Sequence, residues 1–423
     1  MSNRAHRVWQ DHLQWSRRFF LGLGAAGVAA LRNGSASLAA DDANSPVRDA
    51  RLNEAVEKLE RWLTPAAEFR DVSRGSPIPH TLDAGQLAEA GLTRETWKLQ
   101  VLPDPEHPAK LRRPMSLETG TALDFAGLLE LGQTQAVRIP KVMTCLNIGC
   151  PLGMGVWEGV PLRSVIWRTE PRENLRRVIY WGFHNNKPEQ KFQSSLPVDR
   201  VLEDLYGLPP VILAYKLNGD WLSPQRGGPV RMVVPEAYGF KSIKWLNTIL
   251  LSNLFHANDT YAQGNNDVDS TLKTFAATLN APTDVAAGTP LAITGYAQVG
   301  TSGLSQVQVW LQPANEEWSA EDRYFQQAPW RDAAILPLVD TLAPETRDLL
   351  KSAAGFTTDG EPQAWPQPLT KVHWAILWDG LPPGKYTLRC RTVDPQGHAQ
   401  PMPRPFQKSG HAAIEEVTVT VRE

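Results

Sequence analysis

The amino-acid sequence predicts an α+β domain followed by an all-β sandwich, and three observations support this division. The chain has 423 residues, about three times a typical single-domain length, so two domains are expected. Apolar residues make up 42% and charged residues 21% of the chain, a globular composition. Strand patterns mix with helical patterns up to about residue 265, and only strand patterns follow.

The charge balance argues against whole classes of partner. Lys and Arg number 43, Asp and Glu number 45, and the formal net charge is −2 without a long run of one sign. Such a chain has no electrostatic footprint for nucleic acid or for a membrane surface. We therefore expect a small-molecule substrate and a protein partner. Three cysteines cannot form a disulfide scaffold, and their odd number leaves at least one thiol unpaired.

The N-terminal segment is predicted to be an export signal at residues 1–39. The motif S-R-R-F-F-L at 16–21 resembles the twin-arginine signal, and a small-residue stretch at 35–40 suits cleavage after Ala39. The apolar run at 19–31 is too short to span a bilayer. The alternative is a basic-flanked N-terminal helix. The expected location is the periplasm or another exported compartment.

The first domain is predicted at 41–265. Residues 48–63 carry apolar side chains at helical spacing, and residues 97–102 alternate as a strand does. Further strands are predicted at 177–181, 211–215 and 230–234, with helical stretches at 161–168 and 198–205.

The second domain is predicted at 270–423 as a β-sandwich of the Ig-like type. Strands are expected at 291–295, 307–311, 374–378, 386–390 and 414–421, separated by Gly- and Pro-containing turns. Residues 316–370 are longer than an ordinary loop and form a predicted insertion rich in large aromatic residues. These aromatics are expected to be buried against the sandwich, over the mouth of the metal site as a lid, or between two chains, and we favour the first two for most of them.

Cys145 follows a strand pattern and enters a Gly-containing loop. The residue types alone leave three interpretations open: a soft metal ligand, a nucleophile or a structural thiol, the last including a disulfide with Cys150. Cys390 lies in an alternating strand and is expected to be a core residue.

Further motifs narrow these interpretations. They are W-x-G-V-P-L at 157–162, N-G-x-x-L at 218–222, P-V-R-x-V-V-P at 229–235 and S-I-K-W at 242–245. In this order after a cysteine loop they closely resemble the sulfite oxidase family of molybdopterin-dependent oxidoreductases. A weaker resemblance continues through the second domain, which is similar to the Ig-like dimerisation domain of that family. The resemblance implies a molybdenum-molybdopterin cofactor.

The resemblance also implies roles for individual residues. Cys145 matches the cysteine that binds molybdenum, and a thiolate suits that soft ligand role. The cofactor's phosphate is expected to contact Arg226, Arg231 and Lys244, together with the backbone at Lys241 and Ser242. Two histidines, His80 and His184, lie where the family places further cofactor contacts.

This chain departs from the family at the substrate pocket. Sulfite binding needs several arginines, yet residues 77–82, where the family usually supplies one, contain none. The loop after Cys145 also lacks arginine, and Tyr261 is the nearest candidate for the family's active-site tyrosine. The prediction is that the scaffold and the metal carry over to this chain, whereas the sulfite pocket does not.

The leading hypothesis is an exported molybdenum-dependent oxidoreductase that moves an oxygen atom and two electrons on a small substrate other than sulfite. Its electrons would pass to or from a separate protein such as a cytochrome, because no haem or dinucleotide motif is present. The competing hypothesis is a cofactor-free pseudo-enzyme that acts as a binding module. A homodimer through the second domain is expected.

Overall fold

The computed structural model describes residues 49–205, 207–400 and 413–423. The export signal predicted at 1–39 lies outside these residues. Residues 49–423 cluster into one compact unit. No helix in the part of the chain that the structure describes is long and apolar enough to cross a membrane.

The first half of this unit mixes short helices with ten strands. The helices are α1 Ala50–Glu57, α2 Ala84–Glu89, α3 Phe125–Gln135, α4 Leu162–Trp167, α5 Val198–Leu202 and α6 Thr260–Gln263. The strands are β1 Lys98–Pro103, β2 Leu123–Asp124, β3 Val137–Thr144, β4 Pro151–Pro161, β5 Arg177–Gly182, β6 Gln193–Pro197, β7 Ile212–Leu217, β8 Asp220–Trp221, β9 Arg231–Val233 and β10 Leu246–Ser252.

These strands build two sheets that pack against each other. One sheet has the order β2-β1-β10-β5-β6, and the other has the order β3-β4-β7-β8 with β9 paired to β7. The shared core contains Trp97 just before β1, Tyr180 from β5 and Leu213 from β7, all essentially excluded from solvent. The predicted α+β architecture of this half is confirmed.

The helix predicted over 48–63 is wrong in its second half. Helix α1 ends at Glu57, and Lys58 forms its C-cap. The apolar spacing beyond Lys58 reflects tertiary packing, because Trp62 is completely buried and its indole N–H donates to the Lys371 carbonyl at 2.6 Å. Its backbone N–H donates to Thr341, so the chain leaves the helix to reach these partners.

The second half is all-β, as predicted. Its strands are β11 Phe275–Asn280, β12 Asp284–Ala286, β13 Leu291–Gln298, β14 Gln306–Pro313, β15 Arg331–Ile335, β16 Lys371–Trp378, β17 Gly384–Val393 and β18 Glu415–Arg422. They form a curled sheet in the order β11-β13-β16-β15-β14-β17-β18-β12. Cys390 lies in its core, and burial raises the pKa of this thiol to about 12. The core position predicted for Cys390 is confirmed.

The predicted insertion at 316–370 contributes strand β15, whose residues 331–333 pair with β14 and whose residues 334–335 pair with β16. Its aromatic residues pack in two places. Trp318, Phe325 and Trp330 surround Trp310 of β14 at centroid distances of 4.9 to 5.8 Å. Phe356 lies against Trp62 at 6.2 Å.

A third core joins the two halves of the chain. It contains Trp62, Met154 and Tyr238 together with Leu350 and Phe356 from the insertion. The boundary predicted at 265–270 lies in the irregular segment between α6 and β11. The division of this unit into separate domains stays a prediction.

A buried ion pair supplies a stability test. Arg200 and Glu236 are about 5% and 10% exposed and form a bidentate pair with N–O distances of 2.7 and 2.9 Å. Glu236→Gln leaves the Arg200 charge buried without a carboxylate, so the free energy of unfolding should fall by about 3 kcal/mol. Urea denaturation checks this value. Glu345→Gln, which breaks the exposed pair with Arg61, should change it by less than about 0.5 kcal/mol, and equal effects would contradict the expectation.

Candidate active site

A cleft of about 1120 Å³, part of which is open to solvent, lies beside the end of β3. Four segments build most of its wall: residues 69–75, residues 143–147 at the end of β3, residues 182–184 at the end of β5, and residues 239–245 before β10. Among the cavity's described lining residues are four arginines and one lysine, and none is an aspartate or glutamate. The cleft is therefore strongly cationic.

Cys145 is the first residue after β3, and its partly buried thiol lines the cleft. Its carbonyl accepts the Gly149 N–H at 3.2 Å, which closes the following turn. Cys150 does not line the cleft. Its thiol accepts a hydrogen bond from Arg70 Nη1 at 3.2 Å. Both cysteines are free thiols, so the disulfide alternative is not formed.

Arg226 and Arg231 form the buried floor of the cleft, and each is about 5% exposed. Arg231 donates from Nη1 to the Arg226 carbonyl at 2.9 Å and from Nη2 to the Ser242 carbonyl at 2.6 Å. Arg226 donates from Nη1 to the Arg70 carbonyl at 3.3 Å. Arg226 Nε and Nη2 and Arg231 Nε are buried and have no hydrogen-bond partner in the protein. Buried donors of this kind fit an anionic group bound in the cleft.

Lys244 completes the cationic side. Its Nζ donates to Asp71 Oδ1, Ser73 Oγ and the Gln225 carbonyl, each at 2.8 Å. Gly227 permits this approach, because it has a φ of 93° and any side chain there would collide with Lys244.

Burial weakens the proton affinity of all three cations. It lowers the pKa of Arg231 to about 9, with the neighbouring Arg226 contributing. It lowers the pKa of Lys244 to about 8, where Arg231 adds to the effect and Asp71 opposes it. Burial also lowers the pKa of Arg226. A bound anion would oppose each of these shifts, since it stabilises the charged forms.

The structure brings together six of the eight residues predicted for the site. They are Cys145, His184, Arg226, Arg231, Ser242 and Lys244, all of which line the cleft. The ring of His184 is held near the Gly182 carbonyl, with Nδ1 at 3.3 Å. His80 lies behind the cleft wall, where its ring packs on Trp245 at 6.3 Å and its Nδ1 is buried without a partner.

Lys241 is the clearest departure from the predicted site. It does not line the cleft, and its Nζ binds Asp259 Oδ2 at 2.6 Å and the Ser195 carbonyl at 2.8 Å. The backbone N–H groups of Lys241 and Ser242 close a 3-10 turn on Tyr238 and Gly239. Both N–H groups are already hydrogen-bonded within the protein, so the predicted backbone contact to a phosphate is wrong for these two groups.

Sequence reasoning missed the arginine that faces the other side of the cleft. Arg74 lies three residues before the segment 77–82, and its Nη2 donates to the Tyr261 hydroxyl at 2.9 Å. Its guanidinium lies 4.3 Å from the ring centre of Phe192. Asn147 Nδ2 also donates to the Tyr261 hydroxyl, at 2.8 Å. The irregular segment around Arg74 has no periodic pattern, and the spacing of Arg70 and Arg74 is the one signal it offers.

The insertion at 316–370 contributes none of the cleft's described lining residues. The interpretation of this insertion as a lid over the site is therefore wrong. Phe356 is buried in the third core, and the half-buried Trp318, Phe325 and Trp330 pack on Trp310 of the β-sandwich instead.

Comparison with known proteins gives one family match. Residues 116–258 match the oxidoreductase molybdopterin binding domain. A nitrate reductase [NADH] from Spinacia oleracea is 32% identical over 180 residues, covering 39% of this chain and 19% of that protein. A nitrate reductase [NADPH] from Beauveria bassiana is 27% identical over 113 residues, covering 26% of this chain and 12% of that protein. The chain thus spans a fifth or less of the length of these relatives.

One solved structure shares the fold along nearly the whole chain. The sulfane dehydrogenase SoxCD from Paracoccus pantotrophus superposes with a TM-score of 0.56 at 16% identity, covering 91% of this chain and 92% of that one. This likeness confirms the predicted fold class, and the family match confirms the molybdopterin-binding resemblance.

The cationic cleft predicts a pH dependence of anion binding. Because the pKa of Lys244 is about 8, its charge is lost as the pH rises through that value, and sulfate affinity should fall several-fold between pH 7 and pH 9. Calorimetric titration at constant ionic strength measures this fall. Lys244→Met should bind sulfate weakly at both pH values, and an unchanged pH dependence in that variant would contradict the assignment.

Proposed function

We propose that this chain, whose residues 116–258 match the oxidoreductase molybdopterin binding domain, is a molybdenum-dependent oxidoreductase. It transfers an oxygen atom to a small substrate while removing two electrons from it, or carries out the reverse reaction. One observation carries the proposal: a single cleft holds the Cys145 thiol together with the unpartnered buried donors of Arg226 and Arg231. A pseudo-enzyme on this fold would gain nothing from keeping these costly buried groups.

The residues present fit the cofactor. The Cys145 thiolate would bind the metal, and the donors of Arg226 and Arg231 would hold the anionic end of the pterin, with Lys244 as an additional charge. When bound, the cofactor supplies the two-electron redox couple and the site of oxygen transfer. The protein contributes orientation, a largely apolar wall and a fixed positive potential.

Arg74, Tyr261 and Asn147 would bind the substrate. The Tyr261 ring lies between Phe192 and Phe240, with ring centres 5.1 and 5.2 Å away. Its hydroxyl accepts hydrogen bonds from Arg74 and Asn147. Arg74 makes no ion pair within the described chain, so its charge is available to an oxyanion or to a polar S–O or N–O group. One guanidinium among aromatic rings favours a substrate other than the sulfite dianion.

The proposed reaction is a two-electron reaction that can run as an oxidation or as a reduction of the substrate. The relatives bear the names nitrate reductase and sulfane dehydrogenase, which describe a reduction and an oxidation. A separate electron-transfer protein such as a cytochrome would exchange electrons with this chain. The twin-arginine motif at 16–21 supports export to the periplasm, which N-terminal sequencing of the exported protein would test. A homodimer is also proposed, and light scattering would test it.

Metal content tests the ligand assignment. Protein made in a host that supplies the cofactor should contain about one molybdenum per chain, and Cys145→Ser should lower this content because a hydroxyl is a poor substitute for a thiolate. Elemental analysis measures it. Cys150→Ser is the matched control and should keep the full content. Full molybdenum in Cys145→Ser would contradict the assignment.

A substrate panel tests the chemical class. With sulfite, thiosulfate and a sulfoxide supplied in turn, we expect sulfite to be turned over poorly. Arg74→Gln should raise KM for the best substrate by about tenfold or more, as expected for loss of one charge-assisted hydrogen bond. Steady-state kinetics give this value. Efficient sulfite turnover would overturn the substrate proposal and leave the cofactor assignment intact.

A further inference from the structure

An irregular segment at residues 65–82, here called the strap, runs along one side of the cleft. Its one regular piece is the short 3-10 turn Pro79–Thr81. The strap is fastened at both ends by hydrogen bonds: the Arg70 N–H donates to the Leu152 carbonyl at 2.9 Å, and Asn185 Nδ2 donates to the Pro77 carbonyl at 2.8 Å. Between these points it carries Asp71, which faces the cationic side, and Arg74, which faces Tyr261.

The strap contacts the cationic side at two places: Arg226 Nη1 donates to the Arg70 carbonyl at 3.3 Å, and Lys244 binds Asp71 and Ser73. Lys244 has three N–H donors, and Asp71, Ser73 and the Gln225 carbonyl accept all three. Two of these acceptors belong to the strap. Any anion that binds Lys244 must therefore displace one of them or share a proton with it.

Asp71 is the acceptor that an anion would disturb most. It is the one carboxylate within ion-pair distance of Lys244 in the described chain, and its other oxygen lies 3.5 Å from His80 Nε2. Burial alone would raise the pKa of Asp71, but hydrogen bonds from Lys244 and Ser73 lower it, so the carboxylate is charged at neutral pH. Two negative charges on one ammonium group repel each other, whereas Ser73 and the Gln225 carbonyl are neutral.

We propose that Asp71 is a positioning residue that couples an anion bound at Lys244 to the strap and, through the strap, to Arg74. When the anion arrives, Asp71 withdraws from Lys244, and the strap backbone moves with it. Arg74 is three residues further along the same segment, so its placement against Tyr261 depends on whether the cationic side is occupied. The inference rests on the proposed function for the identity of that anion, the phosphate of the cofactor.

The test uses the full chain made in a host that does not synthesise the cofactor, with inorganic phosphate as the probe. At pH 6.5, below the pKa of Lys244 of about 8, phosphate should bind Asp71→Asn about fivefold more tightly than the unmodified chain, because a competing negative charge is gone. Calorimetry measures this ratio. A residue with a merely structural role would give weaker binding on substitution.

Hydrogen exchange supplies the second measurement. In the unmodified chain, amides of the strap should exchange faster when phosphate is added, because Asp71 withdraws from Lys244. In Asp71→Asn the strap should exchange at the same rate with and without phosphate. The first of these results needs no variant, so the proposal stays testable if Asp71→Asn does not fold.

A matched variant separates charge position from other effects. Glu68→Gln removes one exposed negative charge from the same strap. It should change phosphate affinity by less than about twofold, and it should keep the response of the strap. Weaker phosphate binding in Asp71→Asn, or a strap in the unmodified chain that ignores phosphate, would overturn the proposal.

The outcome can be distinguished from a failure of the proposed function. If the strap responds to phosphate but the protein takes up no molybdenum in a competent host, the coupling proposal stands and the proposed function fails. If the protein takes up molybdenum but the strap does not respond to phosphate, the proposed function stands and the coupling proposal fails.

Discussion

The cost of burying positive charge governs the architecture of the cleft. Arg226 and Arg231 are almost completely buried, and the protein gives them carbonyl oxygens as partners instead of carboxylates. A carbonyl can accept a hydrogen bond, but it does not neutralise the charge. The segments that carry these carbonyls, including residues 223–228 and 239–245, are short turns fixed between strands. These turns hold the two guanidinium groups in position to bind an anion.

The same chain shows what a buried cation looks like when its role is structural. Lys141 is fully buried and donates to the carbonyls of Val142, Pro235 and Ala237, which use all three of its N–H groups. Lys241 is held by Asp259 and by a carbonyl. Neither lines the cleft. Satisfied donors distinguish these two lysines from Arg226 and Arg231, which keep buried donors without a partner.

This contrast explains which parts of the site could be predicted from the sequence and which could not. The strands were predictable from local alternation of apolar and polar residues. The presence of Cys145, Arg231 and Lys244 in one site was predictable from short motifs. The role of Lys241 was not predictable, because Asp259 reaches it from a separate segment and no local pattern announces the pair. Arg74 was missed for a similar reason: the strap has no helical or strand period, and its position depends on hydrogen bonds to distant residues such as Leu152 and Asn185. The end of helix α1 was misjudged because Trp62 has a tertiary partner.

Strand β15 gives the insertion at 316–370 a role that its length does not suggest. It is the single link in the described sheet between β16 and β14, because its residues 331–333 pair with β14 and its residues 334–335 pair with β16. If that strand were lost, both neighbours would present unpaired N–H and C=O groups to any passing chain. The insertion therefore covers two strand edges that could otherwise pair with another chain. Because its Leu350 and Phe356 share a core with Leu146 and Tyr261 of the cleft wall, trimming it would disturb the cleft as well as the sheet.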